Sequence, residues 1–209
     1  GLDYGAQLAW QGGSVADVGG VVGKIDHSGY GFEGSFGYGF DSDWESHIGL
    51  QTAYYSGDDT ADDASADYFA PLGQDYANRY GRFDYLSGPF FADFNGTLSG
   101  TAIWASPVMG TAFAGAWITE LNAEMSPSEK WTLGADVVKA STVEDSYTFG
   151  GVETKYDNDL GWGADVWAEY AYNEHLSFLG SISDWFPGDF FGPDADNAYR
   201  GYLQGRVSW

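Results

Sequence analysis

Cysteine is absent from the 209 residues of this chain. Disulfide bonds, thiolate catalysis and zinc–thiolate sites are therefore excluded. Basic residues are also scarce, because 8 lysines and arginines stand against 31 aspartates and glutamates, which gives a formal net charge of −23. A chain this acidic repels nucleic-acid phosphates and attracts cations, so we expect no nucleic-acid partner.

The chain also lacks any run of about 18 apolar residues, the length that a membrane-spanning helix requires. No secretory leader precedes the first strand-like segment, Leu2 to Leu8, and we expect a mature or trimmed chain. No segment with helical periodicity and no linker divides the sequence. It therefore predicts one domain that spans residues 1–209.

Aromatic residues and glycine are plentiful, with 15 tyrosines, 14 phenylalanines, 9 tryptophans and 31 glycines. Segment 199–209 alternates between apolar or small and polar side chains, which is the period of a half-buried β-strand. Such a strand, ending on an aromatic residue, resembles the closing strand of bacterial outer-membrane β-barrels. The residues of this C-terminal signature are Tyr199, Leu203, Val207 and Trp209.

The same alternation recurs along the chain and predicts about nine strands, many as long as the roughly 9–11 residues of a tilted membrane-crossing strand. Short polar turns alternate with long loops at 12–25, 57–94, 143–158 and 187–197, as they do in outer-membrane barrels. We therefore predict an all-β fold, an antiparallel transmembrane β-barrel with about 8–10 strands in this chain. The strands are predicted at 2–11, 30–40, 44–54, 95–106, 113–125, 131–142, 160–172, 176–186 and 199–209.

Five phrases, in this order, resemble the alginate-export-type family of outer-membrane porins. They are Tyr54-Tyr55-Ser56-Gly57-Asp58, Asp67-Tyr68-Phe69-Ala70-Pro71-Leu72, Tyr80-Gly81-Arg82-Phe83-Asp84, Leu160-Gly161-Trp162-Gly163-Ala164-Asp165-Val166 and Trp185-Phe186-Pro187-Gly188-Asp189-Phe190-Phe191. The resemblance implies a bacterial outer-membrane location, a lipid bilayer around the barrel, and passive diffusion of small hydrophilic solutes.

The resemblance spans the chain but matches only the C-terminal half of such porins, whose barrels have about eighteen strands. An open half-barrel would leave unpaired edges in lipid, which the bilayer does not permit. Either this chain forms a smaller barrel of about eight or ten strands alone, or it belongs to a larger barrel. A missing N-terminal half or a second copy in a homo-oligomer would complete the larger barrel.

The inward-facing positions of the predicted strands are mostly acidic. An alginate exporter is expected to line its lumen with arginine and lysine, so the substrate does not carry over from the resemblance. Carboxylates in a low-dielectric pore attract cations, which favours cationic or neutral solutes. The alternative is a general preference of water-facing positions for polar groups. The predicted pore-lining residues are Asp3, Glu33, Glu45, Glu120, Glu124, Asp136, Asp165, Glu169, Arg200 and Arg206.

The acidic loop after the third strand offers hard oxygen ligands of the kind that calcium prefers. A calcium site at Asp58, Asp59, Asp62 and Asp63 is one interpretation, and a solvated acidic loop is the other. No other cofactor is predicted. His27, His47 and His175 are widely separated, and no nucleophile motif stands out, so we expect no enzymatic activity.

The sequence thus predicts a porin-like channel, and two alternatives stay open. One is a structural barrel that sheaths a protein partner and conducts little. The other is a soluble carbohydrate-binding β protein, in which exposed aromatic rings would stack on sugars. In a membrane barrel the same rings would lie at the lipid headgroups. They are Tyr4, Trp10, Trp44, Tyr54, Trp117, Trp131, Trp162, Tyr170, Tyr172 and Trp209.

Overall fold

The computed structural model describes residues 1–15, 25–60, 65–67, 115–149 and 151–209. They form an all-β structure, as the sequence predicts. No helix in the described part of the chain is long and apolar enough to cross a membrane. The strands are β1 (Leu2–Val15), β2 (Ile25–Gly39), β3 (His47–Tyr55), β4 (Ser65–Ala66), β5 (Ala116–Ser128), β6 (Trp131–Ser141), β7 (Ser146–Phe149), β8 (Val152–Lys155), β9 (Asp159–Asn173), β10 (Leu176–Pro187) and β11 (Ala198–Val207), and a short 3-10 helix covers Asp189–Phe191.

One large sheet contains the eight long strands in the order β1-β2-β3-β5-β6-β9-β10-β11. Every neighbouring pair along this order is antiparallel, whereas the two-residue β4 pairs in parallel with β2. Strands β7 and β8 form a separate hairpin. Within the described residues β1 and β11 are the two edges and do not pair with each other, so the sheet is not closed into a barrel. The predicted strand at 95–106 lies outside the described residues.

The two ends of the sheet differ in the length of their connections. At one end, which we call the short-turn end, β5 joins β6 and β9 joins β10 through two residues each, and β2 joins β3 through seven. At the other, the long-loop end, the connections that follow β3, β6 and β10 are longer. The predicted asymmetry of turns and loops is therefore confirmed for these connections.

Several predicted boundaries are wrong. Strand β1 continues to Val15, into the predicted loop 12–25. The predicted loop 143–158 contains the β7–β8 hairpin, whose turn includes Gly151 at a φ of 74°. A pair of glycines is a strong two-residue hairpin signal, because a primed turn requires positive φ.

The third strand begins at His47 and not at Trp44. Its first predicted residues form the turn after β2, closed by a hydrogen bond from the Phe40 N–H to the Ser46 carbonyl. Glu45 has a φ of 47° in this turn. A residue in the left-handed region cannot continue a β-strand.

Apart from Trp167 and Leu179, the buried apolar residues of the described chain gather on one face of the sheet, near its long-loop end. They are Ala53, Tyr55, Ala116, Ile118, Val138, Ala140, Leu160 and Trp185, which we call the apolar cluster. Leu160 joins them because the register shifts where β6 meets the start of β9, and Gly161 takes a φ of 111° there. Such a bulge turns one side chain to the other face.

Glycines on the same face leave room for large side chains of neighbouring strands. The indole of Trp167 covers Gly134 and donates a hydrogen bond of 3.1 Å from Nε1 to Asp136 Oδ2. A Cβ at Gly134 would overlap that indole. The amide of Asn122 covers Gly49 in the same way. Pairing small with large residues fills the space on a curved sheet.

We expect the substitution Gly134→Val to lower the free energy of unfolding by about 1–3 kcal/mol, because overpacking would displace the Trp167 indole. Denaturant unfolding followed by tryptophan fluorescence measures this change. The matched control is Gly201→Val on β11, where an added Cβ meets nothing within 4 Å. Equal stability of the two variants would contradict the packing described for Trp167.

Candidate functional site

The two faces of the large sheet differ in exposure and in chemistry. Every exposed large apolar side chain on its eight long strands lies on one face, which we call the apolar face. Leu8 is 82 % exposed and Ile182 is 67 % exposed. An exposed apolar surface of this extent is typical of faces that contact a membrane or another protein. The apolar face also includes Leu2, Tyr4, Trp10, Tyr30, Phe32, Phe36, Tyr38, Ile48, Leu50, Trp117, Leu121, Trp131, Val137, Trp162, Val166, Tyr172, Phe178, Tyr199, Leu203 and Val207.

Aromatic rings on the apolar face form two belts with aliphatic residues between them. Near the long-loop end, Trp162 stacks on Phe186 at 4.1 Å between ring centroids. Near the short-turn end, Trp131 lies 4.8 Å from Tyr170. From Trp162 to Tyr170 the strand rises roughly 26 Å, which the tilt of about 40° that is usual in outer-membrane barrels would reduce to about 20 Å. This height approaches the apolar band of about 25 Å that outer-membrane barrels present to lipid.

The opposite face, which we call the polar face, includes nine of the ten predicted pore-lining residues. Strand register places them together, on the side away from the exposed apolar side chains. They are Asp3, Glu33, Glu120, Glu124, Asp136, Asp165, Glu169, Arg200 and Arg206. That they line a pore stays a prediction.

Glu45 does not belong to this set. The prediction placed it on an inward-facing strand position, but it lies in the turn before β3. Its side chain is exposed beyond the short-turn end of the sheet. The strand assignment of Glu45 is therefore wrong.

A row of polar side chains crosses the middle of the polar face. Each member is the direct register partner of the next, on successive strands from β5 to β11. The row consists of Asn122, Asp136, Asp165, Ser183 and Arg200. Two of its carboxylates, on β6 and β9, thus lie opposite each other, an arrangement that is unfavourable between like charges.

The centre of this row is buried. Asp136 is 5 % exposed, Asp165 is 2 % exposed and Ser183 is 1 % exposed. Within the part of the chain that the structure describes, neither carboxylate oxygen of Asp165 has a hydrogen-bond partner, and the hydroxyls of Ser181 and Ser183 also have none. Buried polar atoms are normally satisfied, so this group requires an explanation.

The other charged residues of the polar face have partners or face open space. The Tyr55 hydroxyl donates to Glu33 Oε1 at 2.8 Å. Arg206 approaches Glu169 at 3.8 Å between guanidinium nitrogen and carboxylate oxygen. Asp3 pairs with His47 at 3.1 Å across the intervening strand, over Gly37. Only a glycine leaves the space for this pair.

The long-loop end of the polar face is covered by apolar side chains. Phe190 and Phe191 of the 3-10 helix pack against the apolar cluster. Phe190 also meets the ring of Tyr156 edge to face at 5.5 Å. The backbone at Gly188 also lies close to Asp159, and an added Cβ at Gly188 would overlap that residue. This part of the polar face is thus filled mainly by apolar side chains.

The first phrase of the family resemblance, at 54–58, has a structural role at this end, whereas residues 68–72 of the second phrase and the whole third phrase, 80–84, lie outside the described residues. The Ser56 hydroxyl accepts from the Tyr30 N–H at 3.0 Å and donates to the Asp67 carbonyl at 2.8 Å. The Asp58 carboxylate accepts from the N–H groups of Thr60 and Asp67 at 2.9 and 3.2 Å. These contacts fix the backbone after β3, as Asx turns do.

The predicted calcium loop gains no support from the described residues. Asp58 uses both carboxylate oxygens on backbone N–H groups. Asp62 and Asp63 lie outside the described residues. Across the described ranges, no group of three or more histidine, aspartate or glutamate residues is placed to hold a metal ion.

Carboxylates from two loops gather beside the hydrogen bonds that fix the backbone after β3. The Thr148 N–H donates to the Asp59 carbonyl at 2.8 Å, which joins the loop after β3 to the β7–β8 hairpin. Burial raises the pKa of Glu144, and the nearby charges of Asp59, Asp145 and Asp58 raise it further. Burial also raises the pKa of Tyr156 beside the same group. The loops therefore hold negative charges close together.

Several polar residues of the polar face are not among the predicted pore-lining residues. Ser181, Ser183 and Asn122 follow the same alternation as the predicted carboxylates, so the signal was available. Their neutral side chains gave no reason to single them out. Their position opposite buried carboxylates depends on strand register, which alternation within one strand does not reveal.

No protein-family model matches this chain, and no curated protein is similar enough to match it. The resemblance to alginate-export-type porins therefore stays a prediction.

We expect Glu144 to make the protein less stable as the pH rises. A carboxyl group whose folded pKa lies above its ordinary value of 4.5 binds more protons in the folded state, so stability falls as pH rises from that value through the folded pKa. Thermal unfolding from pH 4 to pH 8 measures this loss, which the substitution Glu144→Gln should reduce. Glu153→Gln on the exposed β8 is the control. A pH dependence that Glu144→Gln leaves unchanged would contradict this account.

Proposed function

We propose that this chain forms an outer-membrane β-barrel of the porin type and allows passive diffusion of small cationic or neutral solutes. The observation that carries the proposal is the opposition of the two faces. One face exposes apolar and aromatic side chains, and the other buries carboxylates beside the apolar cluster. A water-soluble antiparallel sheet would instead present a polar face to solvent.

The arrangement of the rings supports lipid as the surroundings of the apolar face. Tyrosine and tryptophan favour the headgroup level, where one side of the ring is apolar and the other is hydrated. The two belts are separated by aliphatic residues such as Leu121, Val137 and Val166. This pattern matches the interfacial girdles of outer-membrane barrels.

A barrel in lipid requires that the edges β1 and β11 find partners. Each unpaired backbone N–H or C=O in hydrocarbon costs several kcal/mol, so an open edge does not persist there. The partner is either the other edge, further residues of this chain, or a second chain. With any of these three partners, the apolar face and the polar face of the sheet stay as described.

Selectivity would come from the charge of the polar face. Carboxylates in a narrow aqueous passage with low-dielectric walls focus the electric field and raise the local concentration of cations. The likeness of the five phrases to alginate-export-type porins supports the fold and the general channel role. The acidic polar face argues against a polyanionic substrate.

A second candidate function is a barrel that sheaths a partner and conducts little. The apolar cluster with Phe190 and Phe191 favours it, because these side chains fill the long-loop end of the polar face. A barrel of about eight strands has an interior that its own side chains can fill. A correctly folded protein that carries no current would favour this second function.

We expect the purified protein to give steady single-channel current in a planar bilayer, with a reversal potential in a salt gradient that indicates cation preference. The substitution Glu124→Gln removes an exposed carboxylate of the polar face and should move the reversal potential towards zero. At low salt, cation conductance should fall by a factor of roughly two.

The matched control for this recording is Glu129→Gln, in the exposed turn between β5 and β6. It removes the same charge outside the polar face and should leave selectivity unchanged. Anion preference of the unmodified protein would contradict a cation-attracting lining.

A further inference from the structure

The buried group at the centre of the polar face combines several oxygen atoms that lack hydrogen-bond donors. Both carboxylate oxygens of Asp165 have no partner among the described residues, and neither do the hydroxyls of Ser181 and Ser183. Ser183 is the direct register partner of Asp165, and Ser181 lies two positions along β10 on the same face. The Asp165 carboxylate and these two hydroxyls thus lie at neighbouring register positions in the buried part of the polar face.

A second carboxylate faces this region. Asp136 is the direct register partner of Asp165, so their Cβ atoms are about 4.5–5.5 Å apart. Trp167 donates to one oxygen of Asp136 and fixes its orientation. The indole itself is held flat against Gly134. The position of this carboxylate is therefore set by packing.

Two buried carboxylates at this separation require a positive group between them or a change of protonation. The basic residues of the polar face do not supply one to Asp165. Arg206 lies towards Glu169, at the short-turn end. Arg200 lies opposite Ser183, one strand beyond Asp165, and donates no hydrogen bond to the Asp165 carboxylate.

We propose that Asp136, Asp165, Ser181 and Ser183 bind one calcium-sized divalent cation within the polar face. Carboxylate and hydroxyl oxygens are hard ligands, and two negative charges balance one divalent cation. Fewer than three carboxylates face the ion, so water would complete its coordination. The cation would also remove the repulsion between the two aspartates and cross-link β6, β9 and β10.

This inference deepens the proposed function, because a cation held here would lie inside the passage and limit its flow. Burial, strand register and missing hydrogen bonds place the binding site without reference to conduction. Binding can therefore be measured on folded protein in detergent, without any current. A protein that conducts but binds no calcium would overturn only the inference, and one that binds calcium but carries no current would overturn only the channel.

The test is calorimetric titration of the detergent-solubilised full chain with CaCl2 at constant ionic strength, after removal of metal with a chelator. We expect one site whose affinity falls at least tenfold in Asp165→Asn and in Asp136→Asn. Ser183→Ala should weaken it by a smaller factor. The control is Asp59→Asn, an exposed loop carboxylate, which should keep the site.

Thermal unfolding gives a second measurement on the same proteins. Calcium should raise the midpoint of the unmodified protein and of Asp59→Asn, because a ligand that binds only the folded state stabilises it. It should not raise that of Asp165→Asn. Identical titrations of the unmodified protein and Asp165→Asn, or loss of binding in Asp59→Asn alone, would overturn the proposal. So would an unmodified protein that binds no calcium.

Discussion

The burial of carboxylates behind an exposed apolar surface is the constraint on which the rest of this structure depends. Each large apolar side chain left in water costs roughly 1.5–3 kcal/mol relative to burial, and a buried unpaired charge costs more. Neither face is therefore stable in water with nothing to cover it. In the proposed barrel, lipid against the apolar face and water or a cation at the polar face would remove both costs at once.

The polar face follows from this constraint through its packing. On this face the long strands place charged and bulky side chains side by side, and glycines make the necessary room. Gly134 holds the Trp167 indole, Gly49 holds the Asn122 amide and Gly37 leaves space for the pair of Asp3 and His47. At the long-loop end the face changes character, and apolar side chains with Phe190 and Phe191 close it.

The alternation within single strands was enough to predict which residues share a face. Asp165 and Val166 are adjacent in sequence, and one is buried while the other is exposed. It could not predict features that depend on neighbouring strands. The bulge that turns Leu160 inward arises from a register shift between β6 and β9. The placement of Glu45 failed because a turn, with its left-handed φ, replaced the start of a strand.

The most direct test of the account is the solvent that each face meets. Because the chain has no cysteine, single cysteines can be introduced and spin-labelled without background. Labels at Val166→Cys and Ile182→Cys, in lipid vesicles, should collide with oxygen dissolved in lipid and not with a water-soluble nickel reagent. Labels at Gln51→Cys and Asn122→Cys, on the polar face, should not show this preference for oxygen dissolved in lipid over the nickel reagent. Equal access of the nickel reagent to all four labels, or folding without detergent or lipid, would contradict a membrane barrel and favour a soluble β protein.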